Sequence, residues 1–275
     1  MPLIPTGNEE EALIAVLEAF GKNSFLHDHF VLKGGNALRW IYQGPRASVD
    51  LDFSSTTQHP HQKEAESQAI LKDVKSALNS SLTLVAPSYR FATMVVQSAK
   101  VLPRQLPSRE FPALELKVGY TRQDNRQPPF PQAIKVEISL NEIVCDYTPW
   151  KSGQLRVTVS TLDEIISEKL RAILQQEIRR RFRSSDVYDI WFFWTKARKQ
   201  LSPSHISTFL LNKSEGRDNV GEVTKARFST EEIRRRSEKD YAEIAGRLQD
   251  GASLPPFETA YGKLLELVSL LNIPD

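Results

Sequence analysis

The chain has 275 residues, 40% of them hydrophobic and 25% charged, which is the composition of a globular protein with a sizeable core. A formal net charge of +2 is too small to indicate nucleic-acid binding by itself. No apolar run approaches the ~20 residues of a membrane helix, and the first residues lack a signal-peptide pattern. With Cys145 as the single cysteine, no internal disulfide can form, and we expect a cytoplasmic protein without a membrane partner.

The first half of the chain alternates between helical and strand patterns. Apolar residues recur at helical spacing near the start, and shorter apolar or alternating runs separated by polar turns follow. We predict helices over residues 9–20, 36–42 and 64–79, and strands over residues 30–32, 49–53, 82–85, 91–97, 113–120, 133–140 and 155–159.

The second half reads as helices. Thr161 and Glu164 form a capping-box pattern that opens the first of them. We predict helices over residues 162–180, 184–199, 203–211, 230–248 and 256–271. The predicted domains are therefore a mixed α/β domain over 1–159 and an all-helical domain over 160–275, an α+β fold in total.

Two aspartates, Asp50 and Asp52, stand one residue apart within an apolar run. Residues i and i+2 of a strand point to the same face, so these carboxylates lie side by side, ~6–7 Å apart at the Cα atoms. Carboxylates at that distance repel each other unless a cation neutralises them, and Mg²⁺ prefers such oxygen ligands. The pair suits metal-dependent nucleotidyl transfer, although an isolated pair of this kind is also typical of a solvated strand end.

Gly34 and Gly35 precede the aspartates, between an apolar strand and a helix. Glycine lets the backbone approach a ligand closely, and free N–H groups at a helix start attract anions. Lys33 and Asn36 flank the two glycines and can contact the same anion. The pattern suits a phosphate-binding turn, with an ordinary tight turn as the alternative.

Glu137 lies in a later strand pattern, where Val136 and Ile138 face one side and Lys135, Glu137 and Ser139 face the other. If this strand lies beside the aspartate strand, Glu137 supplies a third carboxylate to a metal site. An amphipathic strand with a solvated outer face explains the same pattern at least as well.

Several segments, taken in order, resemble a known family. VLKGGNAL, RASVDLDFS and KVEIS are similar to the three-part signature of the nucleotidyltransferase superfamily. SEKLRAIL and RSSDVYDIWFF resemble the later motifs of the AbiEii/MenT-type nucleotidyltransferase toxins of bacterial toxin–antitoxin and phage-defence systems. The resemblance covers residues 30 to 195. It implies a polymerase-β-like domain with a mixed sheet, followed by an all-helical C-terminal half that completes the active-site cleft.

The resemblance also implies the site and its ions. The expected cofactor is Mg²⁺, with Mn²⁺ as the alternative. Many superfamily members carry a serine after the first glycine, so Asn36 or Ser48 would have to replace it here. The implied set comprises catalytic residues Asp50, Asp52, Lys169 and Asp186, metal ligands Asp50, Asp52 and Glu137, and nucleotide contacts from Lys33, Gly34, Gly35, Asn36, Ser48 and Lys169.

The later motifs also have structural interpretations. Lys169 flanks a predicted buried stripe, so it either reaches a neighbouring cleft or is an ordinary surface lysine. Asp186 in the first turn of its helix is favoured by the helix dipole. Asp189 is expected to be partly buried and to need a partner, for which the arginines of 179–183 are candidates. That run and 234–236 are either solvated helix faces or contacts for RNA phosphates.

Other residues typical of metal sites or nucleophiles lack the pattern that such functions require. The histidines of 27–29 and 59–61 have no complement at zinc spacing, so we predict solvated turn residues. Cys145 has no activating base nearby in sequence and is predicted to be a packed thiol.

The expected function is Mg²⁺-dependent transfer of NMP from an NTP to an RNA acceptor, with the tRNA 3′ end as the leading acceptor and pyrophosphate as the product. A cognate antitoxin protein would hold this activity in check. Two alternatives stand beside it, namely modification of a protein hydroxyl and a non-catalytic nucleotide- or RNA-binding module.

Overall fold

The computed structural model describes residues 3, 7–57, 64–102, 112–123, 132–215, 217, 220–249 and 251–275. Its contacts divide the chain into two units, Met1–Ile41 with Ser48–Ser160, and Tyr42–Ala47 with Thr161–Asp275. Among the described residues, none of the helices combines the length and the apolar character needed to span a membrane.

The first unit combines helices with one sheet. Its helices are α1 (Asn8–Lys22), α2 (Ser24–His29), α3 (Gly34–Trp40) and α4 (Glu64–Val85), with a 3-10 turn at Ala86–Tyr89. Its strands are β1 (Phe30–Lys33), β2 (Asp50–Ser55), β3 (Phe91–Leu102), β4 (Ala113–Arg122), β5 (Gln132–Ser139), β6 (Tyr147–Ser152) and β7 (Leu155–Ser160).

The sheet has seven strands in the order β3-β4-β5-β2-β1-β7-β6. β2 runs parallel to β5 and β1 parallel to β7, while the other neighbours are antiparallel. The predicted α+β class, with a mixed sheet ahead of a helical half, is confirmed.

One face of the sheet is apolar and the other is polar. Leu51, Phe53, Val136 and Ile138 are buried on the first face. Phe20 of α1 stacks on Phe53 with ring centroids 4.1 Å apart, so α1 covers this face. Because side chains alternate along a strand, the residues between these apolar positions all point to the opposite face. That opposite face carries the predicted site.

Two local predictions in the first unit are wrong, and one strand was not predicted. Residues 82–85 continue α4 rather than forming a strand, because Leu78, Leu82 and Val85 are buried at helical spacing. The 27–29 segment lies in α2 rather than in a turn, since the Asn23 side chain caps that helix by accepting from the Leu26 N–H. β6 was not predicted, because its mostly exposed edge sequence lacks an apolar alternation.

The second unit is helical. Thr161 caps its first helix by accepting from the Glu164 N–H, as the capping box predicts. Its helices are α5 (Leu162–Leu174), α6 (Gln176–Arg179), α7 (Ser184–Lys196), α8 (Pro203–Ser214), α9 (Glu231–Glu238) and α10 (Phe257–Ser269), with 3-10 turns at Arg198–Gln200, Ala226–Ser229 and Tyr241–Arg247.

Two predicted helices of this unit are interrupted. The helix predicted over 162–180 ends at Leu174 and is followed by the short α6. The helix predicted over 230–248 breaks after α9, where Asp240 has a left-handed φ of 60° and a 3-10 turn follows. A local change in backbone conformation or hydrogen bonding is enough to end a helix. The apolar periodicity of the sequence does not reveal where such a change occurs.

The segment 42–47 joins the second unit through backbone pairing. Ala47 donates its N–H to Arg247 O at 2.8 Å, and Gln249 donates to Pro45 O at 2.9 Å. Arg46 forms an isolated antiparallel bridge with residue 248. This pairing fixes the backbone on both sides of Arg46.

Candidate active site

The two predicted aspartates and the predicted glutamate lie on neighbouring strands of the first unit. β2 and β5 are parallel, with Asp50 opposite Lys135 and Asp52 opposite Glu137. Residues paired across strands, and residues two apart along one strand, point to the same face. The strand that carries Glu137 does lie beside the aspartate strand, and the three carboxylates share its polar face. We call Asp50, Asp52 and Glu137 the acidic trio.

The ammonium group of Lys135 lies between two members of the trio. Its Nζ is 3.1 Å from Glu137 Oε2 and 3.6 Å from Asp50 Oδ2. Burial lowers the pKa of Lys135, but the hydrogen bond to Glu137 and the charges of the trio outweigh it and hold that pKa above its ordinary value. Lys135 therefore stays protonated and acts as a counter-ion of the trio.

Lys33 supplies a second positive charge on this face. It lies opposite Asp52 in β1, donates from Nζ to Ser139 Oγ at 3.2 Å, and forms an ion pair with Glu142. Glu142 is buried and also accepts from Ser54 Oγ at 2.7 Å. Sequence reasoning missed Glu142, because an acid just after a strand is equally typical of a solvated turn. Lys33, a predicted nucleotide contact, is thus already engaged by a carboxylate.

Asp52 is half-buried among other acids. Burial raises the pKa of Asp52 to about 6; Lys33 and Lys135 oppose this rise, and the charges of Glu137 and Asp50 add to it. Counting the buried glutamate partner of Lys33, four carboxylates face two ammonium groups here. The immediate surroundings of the acidic trio therefore have an excess of negative charge.

Gly34 begins α3 directly beside Asp52. Its φ of 72° is left-handed, and a Cβ at this position would overlap the Asp52 carboxylate. Glycine alone meets both conditions without strain. Asn36 donates from Nδ2 to the Asp50 carbonyl at 2.8 Å, while its Oδ1 is buried and has no hydrogen-bond partner. The turn is thus fitted to the aspartate strand and leaves one acceptor open there.

Two further predicted nucleotide contacts flank this turn in sequence. Gly35 is buried in the first turn of α3. Ser48 is half-buried shortly before β2, and its hydroxyl makes no hydrogen bond within the described part of the chain. Both positions stay predictions for nucleotide binding.

The chemistry of the polar face fits a hard divalent cation. Mg²⁺ and Mn²⁺ prefer carboxylate and water oxygens, and the acidic trio offers carboxylates with an excess of negative charge. In the described ranges, no three His, Cys, Asp or Glu side chains already stand around one point so as to hold an ion. Lys135 stands between two of the carboxylates instead, so a bound ion would replace this lysine as their counter-ion.

Lys169 and Asp186, the remaining predicted catalytic residues, lie together in the second unit. Lys169 Nζ is 2.6 Å from Asp186 Oδ1 and 2.8 Å from Asp189 Oδ2. Arg46 donates to Asp189 twice, from Nε at 2.8 Å and from Nη2 at 2.6 Å. All four side chains are buried, with at most 8% of any of these residues exposed. We call Lys169, Asp186, Asp189 and Arg46 the lysine cluster.

The charges of the lysine cluster are mutually compensated. Burial raises the pKa of Asp189, but Arg46 and Lys169 outweigh this effect and hold that pKa at about 2. Burial likewise lowers the pKa of Lys169, and the two aspartates reverse the shift to a rise. Arg183 approaches Asp186 Oδ2 at 3.7 Å and adds a third cation. Both carboxylates of the lysine cluster therefore have a basic partner.

The geometry of this cluster corrects two interpretations from the sequence. Lys169 is not a surface lysine, because α5 buries it against α7. The partners of Asp189 are Arg46 and Lys169 rather than the arginines of 179–183. Arg46 carries no local signal of this role, since the segment that contains it joins the second unit only through pairing distant in sequence.

Among the described residues, the other sequence candidates form no second site. His27 and His29 bond within their own region, to the Asp28 carboxylate and the Phe25 carbonyl. Residues 59–61 lie outside the described residues. Cys145 is half-buried, and as the single cysteine it forms no internal disulfide.

Comparison with known proteins identifies similar sequences and folds. The model of one family, described as "Nucleotidyl transferase AbiEii toxin, Type IV TA system", matches residues 15–263. No curated protein matches the sequence.

Two solved structures from Helicobacter pylori resemble the chain. One protein, assigned as a nucleotidyltransferase, is 17% identical, with a TM-score of 0.51 over 96% of this chain and 92% of that chain. The other, JHP933, is 18% identical, with a TM-score of 0.51 over 96% of this chain and 90% of that chain. At these identities the similarity shows a shared fold.

Proposed function

Because this chain belongs to the AbiEii nucleotidyltransferase toxin family, we propose that it transfers NMP from an NTP to an RNA acceptor. The leading acceptor is the 3′ end of tRNA, and pyrophosphate is released. The family is a type IV toxin–antitoxin family, so a cognate antitoxin is the expected partner. The cytoplasm, where NTPs and tRNA occur together, is the proposed place of action.

The observation that carries this proposal is the excess of negative charge around the acidic trio on the polar face of the sheet. An acidic face repels nucleotide and RNA phosphates unless a cation intervenes. The acidic trio would hold Mg²⁺, or Mn²⁺ in its place. When bound, such an ion neutralises the developing charge on the phosphates and lowers the pKa of the attacking hydroxyl. Burial raises the pKa of Asp52 to about 6, so a bound cation would stabilise the ionised form of this carboxylate.

The reaction balances without a further co-substrate. The acceptor hydroxyl oxygen forms a bond to the α-phosphorus, the α–β phosphoanhydride bond breaks, and pyrophosphate leaves with the electron pair while the hydroxyl proton passes to water. Gly34, which leaves room beside Asp52, and Asn36, which has an open acceptor, are the proposed contacts that orient the nucleotide. Lys169 and Asp186 stay proposed catalytic residues on the family resemblance.

The test is a labelling assay. Purified protein is incubated with Mg²⁺, total cellular RNA and each of the four α-labelled NTPs in turn. We expect label on RNA, reduced by about three orders of magnitude in Asp52→Ala, because several kcal/mol of charge stabilisation are lost. Glu115→Gln is the matched control, since Glu115 lies opposite Glu137 on the same face but pairs with Lys100 at 2.7 Å. This control is expected to keep its activity.

Each alternative has its own outcome in this assay. Label on protein and none on RNA would favour modification of a protein hydroxyl. No label in any fraction, together with NTP- and Mg²⁺-dependent stabilisation against heat, would favour a non-catalytic binding module. Equal activity of Asp52→Ala and the wild type would remove the acidic trio from the mechanism.

A further inference from the structure

The turn between α6 and α7 has a defined backbone. Arg180 ends α6 in a left-handed conformation with a φ of 50° and donates its N–H to Gln176 O. Arg181 also donates its N–H to Gln176 O, at 3.2 Å, and α7 begins at Ser184. The left-handed conformation is unfavourable for a non-glycine residue, so this turn is held by its bonds. We call Ile178, Arg180, Arg181 and Phe182 the arginine corner.

The arginine corner exposes large apolar side chains. Ile178 is 51% exposed and Phe182 is 48% exposed, although both lie beside a well-packed helical unit. A phenylalanine ring offers a flat apolar face and no polar group of its own to contact water. Two exposed large apolar side chains within one turn, Ile178 and Phe182, indicate a surface that is covered by a ligand or partner.

The arginines of the corner are uncompensated. Arg180 and Arg181 are exposed, and neither forms an ion pair with any carboxylate in the described ranges. Glu177, the nearest acid in sequence, pairs with Arg227 at 3.3 Å instead. The corner therefore presents unpaired guanidinium groups within two residues of an exposed aromatic ring.

In the second arginine run of the chain, residues 234–236, the arginines do have acidic partners. The lack of ion pairs is therefore a property of the corner and not of arginine runs in general. Arg235 and Arg236 both pair with Glu232, at 2.7 Å and 2.5 Å. Arg234 pairs with Glu258 and approaches Glu238 at 3.7 Å. The two runs look alike in the sequence, but only the run at the corner retains free positive charge.

We propose that the arginine corner binds the single-stranded part of the RNA acceptor, with a base stacked on Phe182 and phosphates held by Arg180 and Arg181. This inference rests on the proposed function, which makes RNA the acceptor. Single-stranded nucleic acid is bound by exposed aromatic rings and neighbouring cations, and guanidinium groups match phosphate geometry. Unpaired arginines beside an exposed ring provide both elements, whereas the paired run at 234–236 provides neither.

The experiment measures binding of fluorescently labelled tRNA to the full chain by anisotropy over a series of salt concentrations. All variants carry Asp52→Asn, so that no transfer accompanies binding. In R180Q/R181Q we expect about ten-fold weaker binding and a salt slope reduced by about 1–2, because two phosphate contacts are lost. R234Q/R235Q removes the same charge from the paired run and is expected to bind as its parent does.

Phe182 separates stacking from charge. Phe182→Ala is expected to weaken tRNA binding at least about five-fold with little change in the salt slope, since a stacking contact and no phosphate contact is lost. Phe182→Tyr keeps the ring and is expected to restore binding. Thermal unfolding of each variant shows whether it is folded, and these exposed positions are expected to leave the melting temperature unchanged.

Several results would overturn the proposal. One such result is that R180Q/R181Q and R234Q/R235Q weaken tRNA binding equally. Another is that R180Q/R181Q binds tRNA with the affinity of its parent. The third is that the parent protein does not bind tRNA at all. Corner variants that no longer bind the cognate antitoxin but still bind tRNA would assign the corner to a protein partner instead.

Labelling assays with the corner variants in the otherwise wild-type chain, where Asp52 is intact, separate this proposal from the proposed function. If RNA is labelled and the corner variants bind tRNA as tightly as their parent, RNA binding by the arginine corner is wrong and the proposed function stands. Binding that depends on the corner, without any transfer, would support the corner and overturn the reaction.

Discussion

The acidic trio and the lysine cluster are built from the same residue types and have opposite charge balance. Around the trio, four carboxylates meet two ammonium groups. In the lysine cluster, two carboxylates meet Lys169, Arg46 and the more distant Arg183. The consequence appears in Asp52 and Asp189, since the pKa of Asp52 is raised to about 6 and that of Asp189 is lowered to about 2.

The difference shows that the partners of an aspartate, rather than its burial, decide what it does. Burial raises the pKa of Asp52 and of Asp189 alike. Asp189 is overcompensated by two basic groups, so its charge stabilises the folded chain. The charge of Asp52 opposes folding at neutral pH until a cation joins it. Removing one negative charge should therefore have effects of opposite sign in the two regions.

The largest effect is expected from Asp189→Asn. This change leaves the buried Arg46 and Lys169 with only one carboxylate, and breaking a buried ion pair from one side costs about 3–5 kcal/mol. Urea unfolding at neutral pH measures the loss. Glu238→Gln is the control, because its pair with Arg234 is exposed and contributes at most about 0.5 kcal/mol. A loss below about 1 kcal/mol for Asp189→Asn would contradict a compensated cluster.

A somewhat smaller effect on the free energy of unfolding is expected when the pH is lowered. The folded pKa of Asp189, about 2, lies below its ordinary value of 3.8, so its contribution is present above pH 4 and is lost as pH falls towards 2. The shift corresponds to about 2 kcal/mol. Linkage therefore predicts that the difference in unfolding free energy between the wild type and Asp189→Asn narrows by about 1.5 kcal/mol between pH 4.5 and pH 2.5. A gap that is constant over this range would mean that another group controls the pair.

The fold was predictable where local pattern and tertiary packing agree. Strand β2 and the capped start of α5 follow from alternation and from the Thr161 cap. The end of α4 was predicted as a strand because Leu82–Val85 is apolar, and only its burial at helical spacing shows that the helix continues. β6 escaped prediction because an exposed edge strand needs only its pairing with β7 to exist.

The candidate site was predictable to the level of residue types. Asp50, Asp52 and Glu137 follow from spacing and from the family resemblance, and the register of β2 with β5 places them on one face. Glu142 and Arg46 were missed, since each acts on a residue far away in the sequence. Counter-ions are set by tertiary contacts, and for this reason the opposite charge balance of the two regions could not be predicted.

The smallest effect, and the one of opposite sign, is expected from Asp52→Asn. The folded pKa of Asp52, about 6, lies above its ordinary value of 3.8, so ionisation costs stability as pH rises from about 4 to about 6. Above that range, and without divalent cations, the full shift corresponds to about 3 kcal/mol in favour of the variant. Because Asp52 is half-buried and solvent screens part of its charge, we expect the variant to be more stable than the wild type by about 1–2 kcal/mol. Below about pH 3, where Asp52 is neutral in both the folded and the unfolded chain, the difference in stability should vanish.

Added Mg²⁺ turns this small difference into a test of the metal site. Millimolar Mg²⁺ at pH 7.5 should raise the melting temperature of the wild type and have little effect on Asp52→Asn, because an ion that binds only the folded state stabilises it. Glu115→Gln, on the same face but paired with Lys100, should keep the response of the wild type. If Asp52→Asn is destabilised without Mg²⁺, then Lys33 and Lys135 already compensate the trio. The acidic face would in that case resemble the lysine cluster, and the argument for a bound cation would fail.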